Sequence, residues 1–322
     1  MASSPQPDQP DLPRWGTVST IKAGARDILN FAGYHLEAGA SQLFLYLDAP
    51  CPEAMPHLRA HPAIRVFNCT PAFWEKRHGG RPEKHQARQS ANATRTYRRF
   101  CGGLDWLTHI DADEFIWSEE PVAQLLCNLP ASDPSVQVRP VESLGGSRSA
   151  FKAAAAPGPG RAATVARAYP GFGEHLKTGF LSHTQGKVFL RTGLSDVQFR
   201  IHHGFQNGEE LKARIDLPGA DLCHLHGKDW DDWHRQYGYR LQKGSYRAEL
   251  SPARPRGKGG VNLHDLLSAL EAEGGTEGLQ RFYQDVCADT PALRARLEAE
   301  GLLRIRALPL DELRRKHFPD FG

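Results

Sequence analysis

Between Gln42 and Asp48 the chain runs Leu43-Phe44-Leu45-Tyr46-Leu47, its longest unbroken apolar run. Five such residues between polar neighbours read as a short buried strand. Its surroundings limit the folds it can join. Thr17–Lys22 (TVSTIK) alternates and is β-branched, as a strand does. Asp27–Ala38 places Ile28, Leu29, Phe31, Ala32 and Leu36 at helical spacing, with Gly39 as the stop. After a loop and short helix marked by Pro50, Pro52 and Pro56, Ile64–Phe67 is a third strand. Strand–helix–strand–helix–strand predicts an α/β sheet with parallel pairs and crossover helices.

Further along, Phe73–Pro82 (FWEKRHGGRP) reads as a basic, glycine-containing loop and Glu83–Phe100 as a helix. Trp106–Ile110 (WLTHI) is a fourth strand running into Asp111-Ala112-Asp113-Glu114-Phe115. Val136–Val138, Lys187–Arg191 and Val197–Ile201 are β-like, and Ala153–Gly160 is a flexible loop. Asp221–His226 (DLCHLH) is a short alternating segment. Trp230, Trp233, Tyr237 and Leu241 mark an amphipathic helix over Trp230–Leu250, followed by a basic Pro/Gly linker at Leu250–Gly260. Leu263–Leu270, Gly278–Val286 and Pro291–Glu300 read as helices. The expected organisation is a disordered, proline-rich arm at 1–14, an α/β catalytic domain at 15–229 and a C-terminal helical extension at 230–322.

Net charge over 322 residues is +3, which argues against a nucleic-acid coat and leaves no nucleic acid among the expected partners. No run approaches the ~20 apolar residues of a membrane span, so no transmembrane segment is expected, which leaves room for peripheral membrane association. The first residues show neither a basic nor an apolar leader region. Six scattered cysteines without a CxxC pair read as reduced core residues, which points to the cytoplasm. The local balance differs from the total. Glu75–Arg99 holds eight Lys/Arg against two Glu, a net of +6, just upstream of the acidic DADE turn. Guanidinium groups meet phosphate oxygens bidentately, and Arg88, Gln89 and Asn92 share one helical side.

Asp111-Ala112-Asp113 leaves an apolar strand where α/β sheets bind ligands. Hard carboxylate oxygens suit Mg²⁺ or Mn²⁺, ions that pair with diphosphate. WLTHIDADEFIW resembles the metal-binding signature of glycosyltransferases of the two-layered nucleotide-sugar (GT-A) fold, above all a bacterial family 2-like branch whose signature reads DxDEF. TIKAGARDILNFAGYHLEAGASQLFLYLD is similar to that family's first strand, long helix and second strand, and Arg88-Gln89 with Asn92-Ala93 to the helix before the DxD. The resemblance covers Trp15–Trp117 well and the rest in fragments. Relatives commonly carry Lys-Asn-Glu after the first strand; this chain has Lys22-Ala23-Gly24.

The resemblance implies a mixed, mostly parallel sheet flanked by helices, and an inverting, hexosyltransferase-type enzyme. It would move a sugar from a UDP- or GDP-linked donor to a hydroxyl of a glycan or lipid-linked acceptor, with Mn²⁺ or Mg²⁺. Asp111 would approach the ribose or the metal, Asp113 would coordinate the metal, and Asp48, Arg88, Gln89, Asn92 and Lys187 would meet the donor. In that fold a C-terminal histidine completes the metal shell. His226, followed by a glycine, is the first candidate and His224 the second, with His183 and His202-His203 as competitors. Inversion needs a carboxylate to deprotonate the acceptor. Glu142 is the choice over Glu174 and Asp196, with Glu114 left open. Two other readings stand beside this one: a nucleotide-binding module of the same fold without turnover, and a nucleotidyltransferase. A metallohydrolase ranks below them, since no HExxH is present.

Overall fold

The structure, a computed structural model, describes residues 12–321. Most of the expected N-terminal arm, residues 1–11, lies outside them. Strands β1 (Trp15–Ile21), β2 (Gln42–Leu47), β3 (Ile64–Asn68) and β4 (Trp106–His109) stand in the order β3-β2-β1-β4, all parallel. Helices α1 (Ala25–Glu37), α2 (Met55–Ala60), α3 (Pro71–His78) and α4 (His85–Arg99) make the crossovers. Parallel neighbours need such crossovers, and strands covered on both faces need apolar residues at successive positions, as Leu43–Leu47 has.

The α3 segment corrects one sequence expectation. Six of the ten residues expected in a loop, Phe73–His78, lie in a helix because Thr70 caps it through Phe73 N–H (3.2 Å), Pro71 occupies the first turn, and Gly79 closes it in the left-handed region. The basic loop shrinks to the residues after Gly79.

Beyond β4 the sheet becomes mixed. The chain continues through β5 (Glu114–Ser118), α5 (Val122–Cys127), β6 (Ser135–Ser143), β7 (Ala150–Ala153) and α6 (Arg161–Ala168). It returns as β8 (Lys187–Arg191), builds a separate three-stranded sheet from β9 (Val197–Phe199), β10 (Gly204–Gln206) and β11 (Glu209–Leu211), and re-enters the main sheet as β12 (Asp216–His224). β8 pairs antiparallel with both β4 and β6, and β12 lies between β5 and β6. β6 is longer than the three residues expected because it serves three partners. Its first half faces β8 and its last three residues face β7, and the change of partner falls at Pro140, which has no N–H to give a ladder.

The expected helical extension contains α7 (Trp230–Gln242), α8 (Leu263–Val286), α9 (Pro291–Ala299) and α10 (Leu310–His317). Two helices expected at 263–270 and 278–286 are joined through a kink at Gly275. The section also holds β13 (Leu303–Ile305), which extends the main sheet beyond β7. α7, α8 and α9 share one apolar cluster with residues 144–181, including Tyr169, Trp233, Tyr246, Phe282 and Leu293. α10 returns to α1, where Gly33 lets the backbone at Leu313 and Arg314 approach. All six cysteines are free thiols.

Candidate active site

Parallel strands present all their carboxyl ends at one edge, so β1, β2 and β4 deliver Asp48 and Asp111–Glu114 to the same place. The DADE turn closes on itself: Asp111 N–H donates to Glu114 Oε2 (2.8 Å), and Glu114 N–H to Asp111 O (3.1 Å). Lys187, fully buried at the start of β8, donates to Asp111 Oδ2 (2.7 Å) and lies 3.3 Å from Glu114 Oε2. Gln89 of α4 donates to Asp111 Oδ1. Lys187 can enter from β8 because Gly186 precedes it. At that left-handed position a Cβ would stand 2.1 Å from Val138 O.

Burial alone would raise the Asp111 carboxyl, but Lys187, with His109 and His224, more than offsets it and holds the group well below its usual range. Burial pushes Glu114 up to about 7, only partly offset by the same lysine. For Lys187 itself burial lowers the ammonium, and the two carboxylates more than restore it. The trio therefore carries one firm anion, one firm cation and one group near its titration point.

Asp113 differs from its neighbours in being open, with 54% of its side chain exposed. Its Oδ2 lies 3.5 Å from His224 Nε2. His224 belongs to a row in register across four strands: Glu114 on β5, His224 on β12, Glu142 on β6 and Lys152 on β7. Residues opposed in register share a face, so the row alternates acid and base. Burial would lower the His224 imidazole, but Asp113, then Glu114 and Glu142, hold it up to about 9.

At the other end, Asp48 Oδ2 accepts from Arg81 (2.9 Å) and Arg88 Nε (2.9 Å), with His85 at 3.9 Å. Arg88 also donates to the carbonyls of Pro82 and Glu83 (2.8 Å each), so it is spent on holding the loop after α3. Arg81 is the open cation here, its side chain 45% exposed, and Asp48 Oδ1 is buried with no partner among the described residues. The sequence offers Arg81 only as one of the eight Lys/Arg of Glu75–Arg99, and the Gly79-Gly80 pair just before it is the signal that sets it apart.

The remaining expected site residues are drawn inward. Asn92 is fully buried and donates to Thr20 (3.0 Å) and Cys69 Sγ (3.8 Å), tying α4 beneath the sheet. His226 does not join Asp113. Its Nε2 shares a hydrogen bond with the Tyr246 hydroxyl (3.1 Å), which accepts from Trp233 Nε1–H (3.0 Å), and burial lowers the ring to about 3. Alternation would put residues 224 and 226 on one face, but β12 ends at His224 and the chain turns before His226. Glu142 also faces inward. It pairs with Lys152 (3.1 Å) and accepts from Leu181 N–H (3.1 Å) and Ser182 N–H (2.8 Å), 2% exposed. Burial would raise its carboxyl, but Lys152 holds it far below the usual range, so it is a poor proton acceptor where it stands. Of the competing histidines, His183 and His202 pack ring to ring (4.3 Å), and His183 lies 6.2 Å from His224. Glu174 pairs with Arg254 (2.9 Å) on the surface.

No three His, Cys, Asp or Glu side chains among the described residues converge as a complete metal shell. A two-ligand shell is a different test. Ligands about 2.1 Å from one ion, at angles of 90–110°, lie about 3.0–3.4 Å apart. Asp113 and His224, 3.5 Å apart, stand about 0.1 Å beyond that spacing, within reach of a small side-chain adjustment. Mg²⁺-type sites usually take one or two protein ligands and complete the shell with substrate phosphate and water. The carboxylate suits Mg²⁺ or Mn²⁺, and the imidazole beside it favours the transition ion Mn²⁺.

No protein-family model matches the chain, and no curated protein matches it. Among solved structures it is similar to 4-diphosphocytidyl-2C-methyl-D-erythritol synthase from Anaerococcus prevotii (TM-score 0.28, 10% identity, 44% of this chain and 60% of that one). It is also similar to HddC from Yersinia pseudotuberculosis (TM-score 0.35, 8% identity, 69% and 97%). A third is the galactosyltransferase LgtC with donor and acceptor sugar analogues (TM-score 0.23, 13% identity, 54% and 57%). The chain thus spans less than two thirds of the first and third of these. No helix among the described residues is long and apolar enough to cross a membrane.

Proposed function

We propose that the chain is a divalent-metal-dependent glycosyltransferase that takes a sugar from a nucleotide-diphosphate donor to an acceptor hydroxyl. The observation that carries this is one edge of a parallel block holding Asp48 with Arg81, Asp111 with Lys187, and the open Asp113 beside His224. Asp113 and His224 would hold the ion, in place of the His226 expected from sequence, with Asp111 turned toward Lys187. Such an ion stabilises charge on a diphosphate leaving group. Arg81 supplies a guanidinium that reaches solvent and can meet phosphate oxygens or the ribose, and Asp48 orients it. Lys187 and Gln89 fix the Asp111 carboxylate, so the turn that carries Asp113 is set before a ligand arrives. Glu142 is assigned a positioning role: it anchors the amides of Leu181 and Ser182, just ahead of the segment leading to Lys187.

The test is thermal stabilisation of the purified chain by UDP or GDP with Mn²⁺. A nucleotide-dependent shift is expected, lost in Asp113→Ala and weakened in Arg81→Gln. No shift with either nucleotide in Mn²⁺ or Mg²⁺ would sink the reading. Release of pyrophosphate from a nucleoside triphosphate and a sugar phosphate would assign the site to nucleotidyl transfer instead.

A further inference from the structure

At the free edge of β3 lie four arginines that have no carboxylate partner among the described residues. Arg65 leaves β3 on the same face as Phe67, opposite Phe44 and Tyr46 of β2. Arg95 and Arg99, four apart on α4, share a helical face, and Arg77 ends α3. The rings of Tyr46, Phe67 and Phe100 stack in sequence, 4.4 and 5.4 Å between centroids. The Arg65 guanidinium sits 3.9 Å from the Phe100 centroid and 5.4 Å from Phe67. Arg95 brackets the same two rings at 4.7 and 5.8 Å. Arg77 stacks on Phe73 at 4.2 Å. None of the four makes an ion pair among the described residues, although twenty-four such pairs occur elsewhere in them.

Cation–π stacking orders Arg65, Arg77 and Arg95, and Arg77 also donates to Phe73 O (3.1 Å). It leaves the N–H edges of Arg65 and Arg95 unexplained. A ring face answers the charge of a guanidinium but offers nothing in line with its N–H bonds. Arg95 Nε and Nη1 are buried and have no acceptor among the described residues, a state that native interiors rarely leave uncorrected. Burial lowers the Arg95 guanidinium, and the neighbouring Arg77, Arg99 and Arg65 lower it further. The planar fork matches a tetrahedral oxyanion bidentately, and Arg65 and Arg95 bring two forks to the same pair of rings.

We propose that Arg65, Arg77, Arg95 and Arg99 form a second anion site, separate from the Asp111–Asp113 edge, that takes a phosphoryl or sulfo group. The group could arrive as the free ion or as the ester of a larger molecule. The rings of Phe67 and Phe100, half-buried beside the arginines, give an ester's carbon skeleton an apolar surface to lie on.

The probes are inorganic phosphate and glucose 6-phosphate, titrated into the full chain at low ionic strength without added metal or nucleotide. Hydrogen exchange locates the response. Saturable protection of residues 64–68 and 92–100 is expected, with at least a tenfold loss of phosphate affinity in Arg65→Gln/Arg95→Gln. Equal affinity for the two probes assigns the site to the free ion; tenfold tighter binding of the ester assigns it to a phosphorylated molecule. Both support the proposal. Protection confined to 79–89 and 111–114, or no saturable response, overturns it. If the double variant does not fold, the exposed Arg65→Lys keeps charge but loses the planar fork, and must weaken phosphate binding measurably. An unchanged affinity there overturns the proposal as well. A failure here leaves the nucleotide and Mn²⁺ response untouched, and the reverse holds too.

Discussion

Two buried lysine–carboxylate pairs stand on the same sheet and have different fates. Lys152 meets Glu142 at 3.1 Å and Lys187 meets Asp111 at 2.7 Å, and both lysine side chains are fully buried. Around the first pair every acceptor is spent: Leu181 and Ser182 amides hold Glu142, and Lys152 also donates to Val286 O (2.8 Å). Around the second, Asp111 keeps 27% of its side chain exposed and passes the chain to the open Asp113. Burying a charged pair is therefore no mark of a site here. What marks one is a carboxylate left open beside a fixed pair. The closed pair orders the interior, and the open one orders a mouth.

The comparison breaks most visibly if either lysine is removed. Lys152→Met leaves Glu142 as a buried, uncompensated carboxylate, at a cost of about 3–5 kcal/mol in denaturant unfolding. Lys187→Met should cost about 1–2 kcal/mol less, because Asp111 still reaches water and Glu114, already near 7, can take up a proton. Equal losses would show that the two pairs are equally closed.

Acid sharpens the same contrast. The Glu142 carboxyl is depressed in the folded chain from its ordinary 4.5. Its stabilisation is complete above that value and declines as pH falls below it, toward the folded value. Denaturation midpoints between pH 5 and pH 3 should fall for the wild type and fall less steeply for Glu142→Gln. A parallel decline in both would detach the acid sensitivity from this pair.

How far the sequence carried depends on whether local pattern or pairing decides. The parallel block was readable because each strand is a short apolar run and each crossover has helical spacing, as at Leu43–Leu47 and Asp27–Ala38. The acidic turn was readable because Asp111–Glu114 follows a strand directly. β6 was not, because its length comes from three partners far away in sequence. Glu142, expected as the carboxylate that deprotonates the acceptor, is not placed by the sequence for the same reason. Its lysine is ten residues on, across a hairpin, and its amides are forty away. The choice between His224 and His226 turned on where β12 stops, and strand ends are set by pairing with β5 and β6 rather than by DLCHLH itself.

That choice gives the smallest effect on stability and the finest test of the comparison. His224 belongs to the open side through Asp113, and His226 to the closed side through Tyr246. In metal-free protein the His224 imidazole is raised from 6.5 to about 9. Such a group stabilises fully below pH 6.5, and the contribution is lost as pH rises through about 9. His224→Gln should flatten that alkaline slope, measured by denaturation in chelator from pH 6 to 9.5, and should weaken Mn²⁺ binding at neutral pH at least tenfold. His226→Gln should leave both unchanged while lowering the unfolding free energy by about 1–3 kcal/mol, since it disturbs the buried Tyr246–Trp233 chain. If the roles came out reversed, with Mn²⁺ affinity following His226, the strand would have to end two residues later than it does. The boundary between the open and closed pairs would then move with it.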